Sequence, residues 1–228
     1  MEYSKILEIL KTNGNTKNVE GMARFGINPK NNFGNSVTYL RKLAKTIGKD
    51  HGLALRLWKS GIHDARILAP HIDDPQLVTE KQMEDWVKDF NSWDVCDNCC
   101  GHLFDRTKFC MDKIIEWSER EEEFVKRASF ALMAWSAVHD KKSDDKIFEE
   151  YLSIIKRESI DERNYVRKAV NWALRNIGKR NKSLNEKALK IAKEIKKIDS
   201  RAAKWNANDS IRELTSEKVK KRLKRKGN

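Results

Sequence analysis

Residues that break helices are scarce in this sequence. Its 228 residues include only three prolines and ten glycines, a composition that favours long helices and disfavours a sheet fold. Long apolar runs are missing as well, since none approaches the roughly 20 residues that a transmembrane helix needs. The first residues lack the apolar core of a signal peptide. We therefore expect an all-α, soluble protein of the cytoplasm.

Cysteines occur in one short segment and nowhere else in the chain. Cys96, Cys99, Cys100 and Cys110 do not form the spaced framework of a disulfide-stabilised domain, so we expect reduced thiols. Their spacing matches none of the common zinc patterns, and we predict no metal site. Cys96 and Cys100 instead suit the role of small core residues in a helix. The sequence also lacks the P-loop, GxGxxG and HExxH motifs and any Ser/His/Asp arrangement.

Acidic residues are too few to balance the basic ones, and the imbalance is local. The formal net charge is +13. From residue 161 to the end, 22 Lys and Arg face eight Asp and Glu, a balance of +14, whereas the first 160 residues sum to −1. Such a single-sign field attracts a polyanion, most simply nucleic acid. The alternative is a basic surface that serves solubility or binds anionic lipid. We expect the basic tail at 218–228 to touch phosphates non-specifically and to fray at its end.

Hydrophobic periodicity predicts helix after helix from about residue 36 onward, after an irregular loop at residues 25–35. The predicted helices are Ser36–Ile47, Asp50–Ser60, His63–Ala69, Thr79–Phe90, Ser92–Phe109, Arg120–His139, Asp144–Ser159, Asp161–Lys179, Ser183–Ile198 and Asp209–Leu223. Ten helices joined by short loops indicate one α-solenoid domain of HEAT-like repeats over residues 1–228, with a concave basic groove for a duplex. No strict repeat consensus is visible, so a compact bundle is the alternative.

One tryptophan departs from the apolar stripe of the helix predicted at residues 161–179. Trp172 lies about 120° around the helix from that stripe, on the side of Lys168, Arg175 and Lys179. On that face an indole would meet a sugar or a base while its basic neighbours hold phosphates. The alternative is that Trp172 packs against the next helix of the solenoid, beneath the Lys and Arg stems.

A carboxylate and an arginine break the apolar pattern of two other predicted helices. Trp93, Asp97, Cys100 and Phe104 share one helical face, which places Asp97 among apolar side chains. A carboxylate there must find a partner or face a cavity, because burying an unpaired charge is costly. Arg127 borders the apolar stripe of its own helix, where an arginine pairs with a carboxylate such as Asp97 or grips a phosphate. Each residue is therefore either part of a site or a structural partner.

The segments around these residues resemble the AlkD-like family of DNA alkylation-repair glycosylases. Residues 92–97 read SWDVCD, residues 124–128 read FVKRA and residues 165–175 read YVRKAVNWALR. Residues 57–66, LWKSGIHDAR, look like an early helix-turn segment of that family. The resemblance runs from about Met22 to Lys204, with its elements in the family's order around the residues that periodicity had marked.

This resemblance implies a HEAT-like solenoid that binds duplex DNA and hydrolyses the N-glycosidic bond of N3- and N7-alkylated purines, without a metal or an organic cofactor. Carried over by position, Asp97 matches the catalytic aspartate, and Trp93 and Trp172 match the paired active-site tryptophans. Arg127 matches the arginine beside the DNA backbone. Phe25 is the nearest match to an aromatic residue that family members place near the lesion.

The resemblance leaves more than one function open. The residues expected to contact phosphates are Lys168, Arg175, Lys179 and Arg180. Some relatives with this fold bind DNA without excising bases, so a non-catalytic binder of damaged or branched DNA is one alternative. A helical scaffold for an acidic protein partner is another. The presence of Asp97 with both tryptophans favours a glycosylase, and the charge favours DNA over a protein partner. We expect a monomer on the duplex.

Overall fold

The chain folds into helices. In this computed structural model, which describes residues 1–226, regular structure consists of fourteen α-helices and one short 3-10 turn, and those residues contain no β-strand. The chain divides into two compact units, residues 1–110 and 111–228. The all-α prediction is confirmed, whereas a single domain over the whole chain stays a prediction. Among the described helices, none combines the length and the apolar character that crossing a membrane requires.

Unit 1 is built from short helices arranged in two rows. They are α1 (Tyr3–Thr12), α2 (Thr16–Arg24), α3 (Val37–Ile47), α4 (His51–Lys59), α5 (His63–Ile72), α6 (Glu80–Lys88) and α7 (Trp93–His102). In the first row α5 packs between α3 and α7, and α4 packs against α5. Trp58 of α4 stacks on Trp86 of α6 with ring centroids 4.0 Å apart, which joins the second row. Phe90 and Phe104 complete this aromatic core.

Unit 2 repeats the two-row arrangement with longer helices. They are α8 (Cys110–Ser118), which starts at the unit boundary, then α9 (Glu123–His139), α10 (Asp145–Glu158), α11 (Asn164–Gly178), α12 (Lys182–Ile195), α13 (Arg201–Leu214) and α14 (Glu217–Lys226). In the first row α11 packs between α9 and α13, and in the second α10 packs against α12.

Side-chain contacts within each unit recur at a fixed sequence separation, which reveals repeats that the sequence itself conceals. In unit 1, hydrogen bonds join Trp58 to Asp89, His63 to Asp94 and Asn98 to Ile67, each 31 residues apart. In unit 2 the equivalent bonds span 38 to 42 residues. Because each of these bonds joins similar but not identical positions along successive helices, neighbouring helices of a row run parallel. The longer helices of unit 2 account for its longer repeat.

A buried carboxylate fixes the irregular loop between α2 and α3, which lies where the sequence predicts it. Asp64, in the first turn of α5, is completely buried. It accepts hydrogen bonds from the backbone N–H of Phe33 and of Asn35, each at 2.7 Å, and from the Asn35 side-chain amide at 2.8 Å. The loop therefore has a defined course against α5.

The predicted helix Ser92–Phe109 is wrong in its C-terminal half. Helix α7 ends at His102, and Leu103 leaves the helical region with φ of −139°. The buried side chains of Leu103 and Phe104 enter the core there, and Thr107 caps the following turn by donating to the Phe104 carbonyl at 2.8 Å. Burial of these side chains ends α7, although local helix propensity alone would have extended the helix.

The predicted helix Asp209–Leu223 is also wrong, because two helices meet within it. Helix α13 begins after Ser200, whose hydroxyl accepts from the Ala203 N–H, and it ends at Leu214. Ser216 then caps α14 by accepting from the Val219 N–H at 3.4 Å. Hydroxyl side chains at these two junctions satisfy backbone donors that a continuous helix would have satisfied itself.

The other predicted helices coincide with α3–α6 and α9–α12 to within a few residues. The sequence prediction lacked α1, α2 and α8. The part of the basic tail that the structure describes, residues 218–226, belongs to α14. The expected fraying of the tail concerns residues 227 and 228, which lie outside the described residues.

We expect Asp64→Ala to lower the free energy of unfolding by about 3 kcal/mol, because it leaves several buried backbone and amide donors without an acceptor. Urea denaturation of the full chain measures this change. Asp85→Ala is the matched control, since the Asp85 carboxylate is 55% exposed and pairs only with a surface lysine, Lys81; it should change stability by less than about 0.5 kcal/mol. Equal effects of the two substitutions would contradict the role given to Asp64.

Candidate functional site

The start of α7 carries two of the predicted site residues. Trp93 is its first residue and Asp97 follows one turn later, and both side chains are half-buried. Ser92, completely buried, precedes the helix, and its hydroxyl donates to the Asp94 carboxylate at 2.7 Å. The indole and the Asp97 carboxylate thus lie along one side of a helix whose first turn is held in place.

The Trp93 ring is oriented by the loop that follows α2. Its indole N–H donates to the backbone carbonyl of Phe25 at 2.9 Å, while the Phe25 ring is 75% exposed. With its N–H engaged, Trp93 offers a ligand the faces of its ring rather than a hydrogen bond. The structure therefore places the Phe25 carbonyl against Trp93, one helical turn from Asp97.

Asp94 links α7 to α5. Its carboxylate lies 2.8 Å from Nε2 of His63, a residue that is 6% exposed, and it also accepts from the Val95 N–H at 2.9 Å. Burial alone would raise the pKa of Asp94, but the hydrogen bonds from His63, Ser92 and Val95 together lower it below its ordinary value. The ionised form of Asp94 is therefore the form that holds α7 in position.

The four cysteines belong to the core. None of them is in a disulfide and all four are buried, as predicted for Cys96 and Cys100. Burial raises the pKa of Cys99 and Cys100 well above the ordinary value, and the negative charge of Asp97 adds to the effect on Cys100. These thiols are packing groups rather than nucleophiles. Within the described part of the chain, no three His, Cys, Asp or Glu side chains are grouped so as to hold a metal ion.

Trp172 lies in the first row of unit 2 and contacts the preceding helix of that row. It is half-buried, and its ring meets Trp135 of α9 edge to face, with centroids 5.6 Å apart and planes 82° apart. The ring therefore packs against the preceding helix of its row, whereas the packing predicted for it is against the next helix. The half-exposed ring leaves the other role, contact with a nucleotide, as a prediction.

Arg127 joins α9 to α11. Only 5% of the residue is exposed, and its Nη1 donates to the Tyr165 carbonyl at 2.6 Å. The Tyr165 ring stacks on Phe124 of α9 at 5.3 Å. Arg127 thus has a structural partner at the start of α11, and its contact with a DNA backbone stays a prediction.

Three of the four cations that are predicted to contact phosphate bind other groups of unit 2. Arg175 and Lys179 both bind the Glu213 carboxylate, Lys179 at 2.6 Å. Burial alone would raise the pKa of Glu213, but its bonds to these two cations lower it. Arg180 donates to the carbonyls of Asp140 and Ser143 and lies over the Phe148 ring. Lys168 is exposed. Contact with phosphate stays a prediction for all four cations.

Sequence reasoning missed an aromatic residue at the seam between α11 and α13. Trp205 is 38% exposed, and the guanidinium of Arg167 lies 4.8 Å from its ring centroid. The two residues are one repeat apart, at the separation that other contacts of unit 2 show. Knowledge of the repeat length would have paired them, whereas the periodicity of a single helix could not.

The predicted catalytic residues thus fall into two groups. Unit 1 holds Trp93 and Asp97 together on α7, beside Phe25. Unit 2 holds Arg127 on α9 and Trp172 on α11, both in its first row. Their catalytic roles stay predictions.

Comparison with known proteins identifies a family. A family model described as "DNA alkylation repair enzyme" matches residues 6–214. No curated protein matches the chain. One solved structure is described as "a new family of proteins related to the HEAT-like repeat DNA glycosylases with affinity for branched DNA structures"; it superposes with a TM-score of 0.78 at 19% identity, over 93% of this chain and 95% of that one.

The structural similarity confirms the predicted HEAT-like repeat fold. A designed armadillo repeat protein in complex with the peptide (KR)4 is also similar, at 15% identity over 82% of this chain and 89% of that one, but its TM-score of 0.35 is too low to carry an argument. The concave basic groove stays a prediction.

The lowered pKa of Asp94 predicts how α7 responds to acid. The stabilisation from a carboxylate with a depressed folded-state pKa is present above the unfolded value and is lost as the pH falls through the folded value. We therefore expect the difference in unfolding free energy between wild type and Asp94→Asn to stay constant above about pH 5 and to shrink below about pH 4. Denaturation at a series of pH values measures it. A difference that grows towards low pH would refute this account.

Proposed function

We propose that this chain, which belongs to the family of DNA alkylation repair enzymes, is a monofunctional glycosylase that hydrolyses the N-glycosidic bond of cationic N3- and N7-alkylated purines in duplex DNA. The observation that carries the proposal is the pair on α7. Asp97 and an indole whose N–H is already engaged lie one helical turn apart, both half-buried. The two residues therefore present a carboxylate and an aromatic ring face to one ligand.

The chemistry of the substrate suits a site with a carboxylate. An alkylated purine of this kind carries a positive charge, so the base departs without protonation by a general acid. Positive charge then develops on the sugar, as in glycoside hydrolysis. Ionised Asp97 stabilises that oxocarbenium-like sugar and positions the attacking water. The reaction calls for no metal or organic cofactor.

The tryptophans contribute through their ring faces. An indole face attracts a cation within about 6 Å by 0.5–2 kcal/mol, and both the alkylated base and the developing sugar cation are positive. Trp93 is suited to this role because the Phe25 carbonyl occupies its N–H and fixes the plane of the ring. Trp172, half-exposed on α11, has a ring face suited to the same kind of contact.

Affinity for the duplex would come from the basic surface. Lys168 is exposed on α11, and α14 carries the exposed cations Lys218, Lys221, Arg222, Lys224 and Arg225. Phosphate neutralisation by such residues makes binding fall steeply as salt rises. The balance of +14 from residue 161 onward supports this contribution.

A second candidate function is binding of branched or damaged DNA without base excision. It is favoured by one observation, the affinity for branched DNA that is stated for the protein with the TM-score of 0.78. The basic residues would serve this function as well as the first. The two candidate functions differ in whether Asp97 takes part in hydrolysis of the N-glycosidic bond.

We expect Asp97→Asn to lower the single-turnover release of 7-methylguanine from methylated duplex DNA by about 100-fold or more, the usual effect of removing a charge-stabilising group. Asp112→Asn is the matched control, since Asp112 is exposed in the first turn of α8. The duplex affinity of both variants should stay within about threefold of wild type, since neither change removes a cation. Salt-sensitive binding without release by any of the three proteins would instead favour the non-catalytic binder.

A further inference from the structure

A cavity in unit 1 has a lining dominated by cationic and imidazole side chains. Its volume is about 450 Å³, and it lies where α3, α5 and α7 end. It is lined by Arg41, Ala44, Lys45, Gly48, Lys49, His71 and His102. Among the described residues, no Asp or Glu lines it. A volume of about 300–1,000 Å³ is typical of small-ligand sites.

Two imidazoles of the lining lie side by side. The His71 and His102 ring centroids are 4.3 Å apart. Nη2 of Arg41 lies 3.2 Å from Nε2 of His102. Asn98 donates its amide to the Ile67 carbonyl at 2.9 Å, which turns its oxygen towards Nε2 of His71 at 3.0 Å. That nitrogen of His71 therefore carries the proton.

Burial and neighbouring positive charges lower the pKa values of two groups in this cavity. Burial lowers the pKa of His71 and the charges of Arg41, Lys49 and Arg106 lower it further, against the hydrogen bond to Asn98. Burial and Arg106 likewise lower the pKa of Lys49, against the charges of Asp73 and Asp74. Positive groups that crowd around an open cavity are stabilised when an anion enters it.

The other histidines of unit 1 have a different environment. His51 lies 2.6 Å from the Asp73 carboxylate, and His63 lies 2.8 Å from that of Asp94. Those contacts tie helices together and need no ligand. His71 contacts an amide and His102 contacts a guanidinium, and an anion in the cavity would place a negative charge beside both rings.

We infer that this cavity is a phosphate-binding site, in which Arg41, Lys45 and Lys49 hold the anion and the two imidazoles lie against it. The phosphate belongs either to a DNA backbone, a source that rests on the proposed function, or to a free phosphate ion, which does not. Binding of an anion favours the protonated imidazoles of His71 and His102, so that protons are taken up with the anion and affinity rises as the pH falls.

The test observes all five histidines of the full chain at once by NMR of their imidazole rings. The probes are sulfate, whose charge stays fixed over the neutral range, inorganic phosphate and a short unmodified duplex. We expect saturable shifts confined to His71 and His102, and a rise in their pKa values by about one pH unit or more with sulfate. His51 and His63, on carboxylates, and His139, in unit 2, are internal controls.

Variants inside and outside the lining test whether anions bind at a specific site or are attracted only by the overall positive charge. Arg41→Gln with Lys45→Gln should weaken sulfate binding by roughly tenfold or more. Lys42→Gln removes an exposed charge from the same helix outside the lining, and it should leave affinity unchanged. Thermal unfolding checks that each variant folds.

The outcomes are distinct from those of the glycosylase assay. Shifts with all three probes assign the site to a DNA backbone phosphate, and shifts with sulfate and phosphate alone assign it to a free phosphate. Unmoved His71 and His102 signals with every probe would overturn the inference. Equal shifts at His139, or equal weakening by Lys42→Gln, would do the same, because they would show only non-specific attraction of anions.

Discussion

The need to pair buried carboxylates is the constraint on which unit 1 depends. Asp64 in the first turn of α5 binds the loop before α3, and Asp94 in the first turn of α7 binds His63 of α5. The same helical position is used in two successive repeats, where the helix N-terminus also favours negative charge. Since an unpaired buried charge is costly, each carboxylate specifies one partner and one register. The position of Trp93 and Asp97 follows from this pairing.

The sequence predicted the elements of the fold better than their junctions and repeats. Apolar periodicity located α11 because that helix buries one stripe along its whole length. It failed at Leu103, where burial of a side chain turns the backbone, and at Ser216, where a hydroxyl starts a new helix. The repeat appears only in contacts such as His63 with Asp94, because different residue types fill equivalent positions.

Apolar periodicity also predicted part of the candidate site. Periodicity marked Asp97 and Trp172 as misplaced on their helices, and family resemblance gave roles to both and to Trp93. Partners in other helices were out of reach, among them the Phe25 carbonyl beside Trp93 and the Trp135 ring beside Trp172. Net charge does not show how individual cations are placed. Arg175 of the basic third is paired with Glu213, whereas the nearly neutral remainder contains the cationic cavity at α3.

In the proposed reaction, a carboxylate and aromatic ring faces suffice for cleavage of the N-glycosidic bond because the departing base is already cationic. The most direct test compares release of 7-methylguanine with release of hypoxanthine, a neutral base, from the same duplex context under single-turnover conditions. A site without a general acid should release the neutral base at least about 100-fold more slowly, the usual contribution of such a group. Similar rates for the two bases would contradict the account, because they would require a proton donor that it does not contain.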